Sequence, residues 1–275
     1  MAHAAQNRVR LKWHMLRRRK SDPPFLRTNL VAALRCGAAC EVDIRITRDG
    51  HAVCLHDSIL DRETTGTGRV DATPRATVER LRQRGADGAP LDSAPLFLDE
   101  IVHAVDSIGV AGPALVQLDV KARTDALTPP VLERIGRSIG AHADAFIASA
   151  YDWATICALT GAVPGLHAGF DPLAFYPRDF GLDAHGFRAV AARTRDVAPT
   201  ATFYYLESGL ILAALDRGVD LVAEVGRGGA RVDAWTIDAD RPDVDTVLQR
   251  LIAARCFQIT SNDPEHLAAR IGRFD

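Results

Sequence analysis

Cys40-Glu41-Val42-Asp43-Ile44-Arg45-Ile46-Thr47 and His51-Ala52-Val53-Cys54-Leu55-His56 are joined by Arg48-Asp49-Gly50. Asp-Gly between two apolar alternations is a strong signal for a β-hairpin. Outward from this hairpin the pattern changes. Short apolar runs at Leu11–Met15, Leu115–Lys121, Ala145–Ser149, Leu166–Phe170, Thr202–Leu206, Arg231–Ile237 and Cys256–Thr260 alternate with helical patterns such as Pro130–Ile139, Gly209–Arg217 and Val244–Ala254. Strands that alternate with helices predict βαβ units and a parallel sheet. With the hairpin counted as one strand and its extension, eight strands remain, the number of a TIM (β/α)8 barrel. The polar, Gly-, Thr- and Arg-rich segment Ser58–Ser93 is read as a small insertion after the hairpin, with one helix near Ala76–Arg84. No linker or repeat divides the chain, so residues 1–275 are expected to form a single α/β domain.

Composition narrows the function classes. Of 275 residues, 47% are hydrophobic and 25% charged, with a formal net charge of −2. Such a balance gives no bulk attraction to nucleic acid or an anionic membrane. The basic run Arg17-Arg18-Arg19-Lys20 reads plainly as a solvated loop, although its closeness to His14 suits a phosphate. Five cysteines, Cys36, Cys40, Cys54, Cys157 and Cys256, make neither a disulfide framework nor a zinc pattern. They are expected to be reduced and mostly buried, in a cytoplasmic protein. Met1–Asn7 lacks the marks of a signal peptide, and no apolar run is long enough to span a bilayer. A lipid-like substrate would be met from the aqueous side, without stable membrane insertion.

The strands carry an unusual load of charge. Residues two apart on a strand share a face, so Glu41 and Asp43 point one way while Val42 and Ile44 point the other. In Leu115–Lys121, Gln117, Asp119 and Lys121 share one face and Val116, Leu118 and Val120 the opposite one. Two acids on an inward face cost several kcal/mol unless a cation lies between them. The plain alternative is a pair of solvated carboxylates on an edge strand, or ion pairs with Arg45 and Lys121. The second strand with its own acid favours a hard divalent ion, Mg²⁺ or Ca²⁺. His56 and His14 close two further strands, at the end where TIM barrels keep catalytic groups, and imidazoles suit proton transfer near neutrality.

The run Glu41–Asp57 resembles the signature of the glycerophosphodiester phosphodiesterases, E-x-D-x-x-x-T-x-D-G-x-x-V-x-x-H-D. Leu60–Gly68 resembles its L-x-R-x-T-x-G-x-G continuation. Fainter echoes follow in Gln117–Lys121, in Ala234-Trp235-Thr236 and in Ile259–Pro264, so that the likeness runs from about His14 to Pro264.

The resemblance implies a metal-dependent hydrolase that converts a small phosphodiester to an alcohol and a phosphomonoester. Glu41, Asp43 and Asp119 would ligate one divalent ion. His14 and His56 would act as general base and general acid, and Lys121 would neutralise phosphoryl charge. Trp235 would line the pocket for the alcohol or pack as core. The sequence departs from the family pattern at several positions. Met15 and Leu16 replace the Arg-Gly after the first histidine, so Arg17 or Arg18 is the candidate phosphate-binding arginine. Asp119 stands where Glu is commoner, and Asn262 where the family has Asp. Two other readings are carried: a cyclising, phospholipase D-like enzyme that leaves a cyclic phosphate, and a non-catalytic barrel that binds a phosphorylated ligand.

Overall fold

The computed structural model describes residues 9–112 and 114–272. The first residues, on which the signal-peptide reading rests, lie outside this range.

The apolar runs form nine strands: β1 (Arg10–Trp13), β2 (Ala39–Ile46), β3 (Ala52–Cys54), β4 (Val116–Val120), β5 (Phe146–Ala150), β6 (His167–Phe170), β7 (Phe203–Glu207), β8 (Arg231–Trp235) and β9 (Gln258–Ser261). Eight are parallel in the order β1-β2-β4-β5-β6-β7-β8-β9, and β9 pairs with β1 to close the barrel. The Asp-Gly hairpin holds: β3 pairs antiparallel with β2, with Ile44 opposite Cys54, and is the extension the sequence predicted. Helices lie between the barrel strands and cover it. Their ends follow local chemistry. The helix Arg27–Cys36 stops at Gly37, whose φ of 69° suits a residue without Cβ. The helices Trp153–Ala162 and Ala184–Val197 start on Asp152 and Asp183, which accept from Ala154 N and Gly186 N.

Outward-facing Val42, Ile44, Val116, Leu118 and Val120 are buried against those helices. Inside, the barrel departs from an apolar filling. Lys12, Glu41, Gln117, Ser149, Tyr205, Asp233, Gln258 and Thr260 are buried there. Gly169 makes room for one of them: a Cβ at this position would lie 2.5 Å from Tyr205 Cε2 and 3.3 Å from the Ala148 carbonyl oxygen. The Gly169→Ala change should therefore cost about 1–3 kcal/mol through overpacking, read as a lower urea midpoint at constant slope.

Two local expectations are corrected and one alternative is excluded. The strand through Leu11 ends at Trp13, and His14–Leu16 form a tight turn with Met15 and Leu16 at φ of 53° and 56°. The insertion helix is a single turn, Arg75–Val78, rather than Ala76–Arg84. Gln83 instead exchanges backbone bonds with Ser93 and Leu91, so pairing with a distant segment outcompetes the local helical pattern. The insertion is pinned by Val53, Leu55, Leu60, Val70, Val78 and Phe97. Third, β2 is no edge strand. It lies between β1 and β4, and Glu41 and Asp43 are 3% and 2% exposed, which excludes solvated carboxylates.

Candidate active site

The C-terminal ends of the strands open into a cavity of about 210 Å³ lined by His14, Glu41, Asp43, His56, Asp119, Lys121 and Trp235, among others. Eight of the nine residues singled out in the sequence thus converge or lie close by. The parallel register accounts for the core of the cluster, because Asp43 lies beside Asp119 across β2 and β4. Carboxylate oxygens of Glu41, Asp43 and Asp119 lie within 4.8 Å of one another. Asp43 Oδ2 is buried without a hydrogen-bond partner. A buried, unpartnered anionic oxygen beside two more carboxylates fits a hard cation with oxygen ligands. Arg45 does not pair with these acids; it donates to the carbonyls of His56 and Lys121.

Burial raises the Glu41 pKa to about 7, helped by the charge of Asp119 and opposed by the Met15 N–H and by Lys12 and Lys121. Asp43 is raised well above the ordinary carboxylate range, first by burial and then by Glu41. For Lys121, burial opposes the charge, yet Asp119 and Asp43 outweigh it and raise the pKa. Lys121 Nζ lies 3.2 Å from Asp43 Oδ1 and also bonds Asp119.

The raised carboxylates make stability pH-dependent. Between the ordinary value of 4.5 and about 7, the folded state of chelator-treated protein binds more protons at Glu41 than the unfolded chain does. The Glu41 contribution to stability then falls as pH rises through that window, while His14, whose pKa burial lowers, contributes in the opposite sense. Thermal melts in chelator should show Tm declining from pH 5 to 7.5, with added Mg²⁺ or Ca²⁺ restoring it most at the upper end.

Each histidine has its own clamp. His14 Nδ1 lies 2.8 Å from Asn262 Oδ1. The Asn262 amide is oriented by Asp238, which accepts from its Nδ2 at 3.2 Å and its backbone N at 3.0 Å. Oδ1 therefore faces His14, Nδ1 carries the hydrogen, and Nε2 keeps its lone pair. Burial lowers the His14 pKa, partly offset by the Asn262 bond, and so favours the neutral imidazole. His56 Nδ1 lies 3.0 Å from Asp57 Oδ1. Arg62 binds that carboxylate through two nitrogens and, with His56, holds the Asp57 pKa down at about 2. Glu63 accepts from the backbone N–H of His56 and Asp57. The insertion therefore builds part of the site, which explains why its Leu60–Gly68 stretch carries a motif.

Arg17 and Arg18 do not line the cavity. Arg17 donates to Asn262 Oδ1 at 3.2 Å, with Nε buried and unpartnered. Arg18 points outward to Glu265 at 2.8 Å. Trp235 lines the cavity with its Nε1 unpartnered. Tyr205 is buried inside the barrel and Tyr204 bonds the Ala198 carbonyl, while Glu207 pairs with Arg178. Sequence reading missed Lys12, Ser149, Tyr151 and Asp171 as cavity residues. The available signal was the same i, i+2 spacing that revealed the acids, applied to Ser149/Tyr151 and Gly169/Asp171. All five cysteines are free, with Cys40, Cys54 and Cys256 buried and Cys36 and Cys157 exposed.

A closed (β/α)8 barrel with acids, a lysine and two histidines gathered at the C-terminal rim defines a TIM-barrel protein with an enzyme-type site. The family model of the glycerophosphoryl diester phosphodiesterases matches residues 30–266, and the chain belongs to that family. A Mycobacterium tuberculosis relative, named a probable glycerophosphodiester phosphodiesterase, is 43% identical over 81 residues, covering 26% of this chain and 29% of that protein. The match thus spans under a third of the curated relative. Two solved structures share the fold. One is an Oleispira antarctica phosphodiesterase in complex with the product sn-glycerol-3-phosphate (TM-score 0.70, 17% identity, 96% of both chains). The other is a glycerophosphodiester phosphodiesterase from Agrobacterium tumefaciens (TM-score 0.68, 16% identity, 94% of this chain and 99% of that one). Among the described residues, no helix is long and apolar enough to cross a membrane.

Proposed function

We propose that this protein hydrolyses small glycerophosphodiesters to an alcohol and a phosphomonoester, at one divalent ion held by Glu41, Asp43 and Asp119. The observation that carries this reading is the meeting of two separately clamped histidines, three clustered acids and Lys121 in one cavity. The glycerol-3-phosphate bound to the Oleispira relative supports the same substrate class.

When bound, a Mg²⁺ or Ca²⁺ ion supplies charge neutralisation at the phosphoryl oxygens. The chain's own groups divide the remaining work. His14, with Nε2 unprotonated, takes the proton of the attacking hydroxyl or water. His56, with Nδ1 fixed by Asp57, offers Nε2 to the leaving alcohol oxygen. Lys121 adds positive charge beside the metal carboxylates, where electrostatic stabilisation of a phosphoryl group is strongest. Arg17 stands behind His14 on Asn262 and adds positive potential to that wall, and Trp235 offers an indole N–H to the alcohol portion. Arg18, engaged by Glu265, contributes at most long-range charge.

The test is phosphorus NMR of glycerophosphoglycerol and glycerophosphocholine with the purified protein, with and without Mg²⁺ or Ca²⁺. Metal-dependent release of a phosphomonoester is the expected result. Accumulation of a cyclic phosphate would transfer the protein to the cyclising class. Specific metal binding with no turnover of any diester would leave a ligand-binding barrel.

A further inference from the structure

At the floor of the cavity, the barrel interior holds a continuous polar chain whose hydrogen directions are fixed from one end. Lys12, 2% exposed on β1, places Nζ 2.9 Å from Asp233 Oδ2, bonds Gln117 Oε1, and lies 4.4 Å from the centre of the Tyr205 ring. Gln117 Nε2 donates to Ser149 Oγ at 2.8 Å, and Ser149 Oγ donates to Asp119 Oδ1 at 2.8 Å. The other carboxylate oxygen, Asp119 Oδ2, is taken by Lys121 Nζ.

An ammonium group can only donate. Lys12 therefore requires the oxygen of the Gln117 amide on its side, which leaves the NH₂ group toward Ser149. Ser149 has one hydroxyl hydrogen. With the amide donating to its oxygen, that hydrogen goes to Asp119, and Oδ1 must accept it. The chain has a single polarity, from a buried cation to a carboxylate held as an acceptor. It begins on β1, passes through β4 to β5 and returns to β4, so the pairing of strands far apart in the chain brings its members together. Asp233 anchors the origin, because Gln258 Nε2 and Thr260 Oγ1 also donate to it.

We infer that Ser149, directed by Gln117 and the buried Lys12–Asp233 pair, is a positioning residue that holds the Asp119 carboxylate ready for the metal. The inference rests on the reading of Asp119 as a metal ligand. The physical need is specific. Asp119 has a short arm and a cationic neighbour that competes for it, and a carboxylate freed at Oδ1 could turn both oxygens to Lys121. The Ser149 hydroxyl keeps the two oxygens apart in role. Groups that orient metal ligands in this way typically govern about 10–100-fold of metal affinity.

The test is calorimetric titration of the full-length, chelator-treated protein with Mg²⁺ and with Ca²⁺, for wild type, Asp119→Ala, Ser149→Ala, Ser149→Thr and Gln117→Met, alongside metal-free thermal melts. Expected are roughly 10-fold or greater weakening in Ser149→Ala and Gln117→Met, with Ser149→Thr close to wild type because the hydroxyl is kept. A metal-free Tm for Ser149→Ala near the wild-type value would separate the affinity loss from unfolding. Wild-type affinity in Ser149→Ala, with binding abolished in Asp119→Ala, overturns the positioning role while leaving the metal site intact. No binding in wild type, or unchanged binding in Asp119→Ala, instead overturns the metal-ligand reading and the inference with it.

Discussion

Replacing His14 or His56 with alanine should reduce kcat on a glycerophosphodiester by roughly 10²–10⁴-fold, the usual contribution of one positioned acid or base. The two losses should not multiply, because in the proposed reaction both groups serve one proton-transfer sequence and the double variant forfeits little more than either single one. Divalent affinity should stay near wild type in both, since the oxygens proposed to hold the metal come from Glu41, Asp43 and Asp119. The clamps make a finer distinction. Asn262→Ala removes the group that fixes the His14 hydrogen on Nδ1, so it should lower kcat while leaving the His56 side intact. Arg62→Ala should act through Asp57 on the other histidine. Steady-state kinetics at saturating metal, with parallel titration calorimetry, would check both points. Full activity in His14→Ala would remove it from the chemistry.

The second large effect is on folding. Lys12→Met should destabilise the protein by about 3–5 kcal/mol, because it leaves Asp233 buried with no countercharge. For a chain of this size that lowers Tm on the order of 10 °C. Asp233 is fully buried, and although Gln258 and Thr260 still donate to it, neither carries a charge. Adding Asp233→Leu should recover part of the loss, since an apolar pair of similar bulk often replaces a buried ion pair at little cost. It should not recover divalent affinity, because the Gln117–Ser149 chain still lacks its directing cation. Urea denaturation beside metal titration of wild type, Lys12→Met and the double variant would show whether the pair serves stability, the site, or both.

The pair also clarifies why the barrel interior is polar. A hydrophobic filling would pack more simply, yet the residues just below Asp119 and Glu41 are a lysine, two glutamines and an aspartate. Each finds a partner, so the network meets the condition under which buried polar groups can be tolerated. Its orientation is set by a donor-only group at one end and an acceptor-only carboxylate at the other. Tyr205 packs its ring against Lys12, and Gly169 provides the space for that ring.

Much was written locally. Asp49-Gly50 specified the hairpin, because few residue pairs suit so tight a turn between alternating strands. The period of two in Glu41-Val42-Asp43 and Gln117-Leu118-Asp119 set the inward faces, and with them the acid cluster and Lys121. These features depend on backbone geometry over a few residues, which a sequence displays directly. The partners of His14 and His56 differ in this respect. Asp57 follows His56 and was visible, whereas Asn262 reaches His14 only because β9 closes onto β1. The early end of the insertion helix had the same cause, a pairing of Gln83 with Ser93 and Leu91. Arg17, beside His14 in sequence, turns onto Asn262 because Met15 and Leu16 take left-handed backbone angles between them. The sequence by itself determined the strand faces, the hairpin and the chemical kinds of group in the site. Only the tertiary structure decided which groups touch and which atom of each faces the cavity, because closure joins strands far apart in the chain and fixes hydrogen-bond directions that no local spacing encodes.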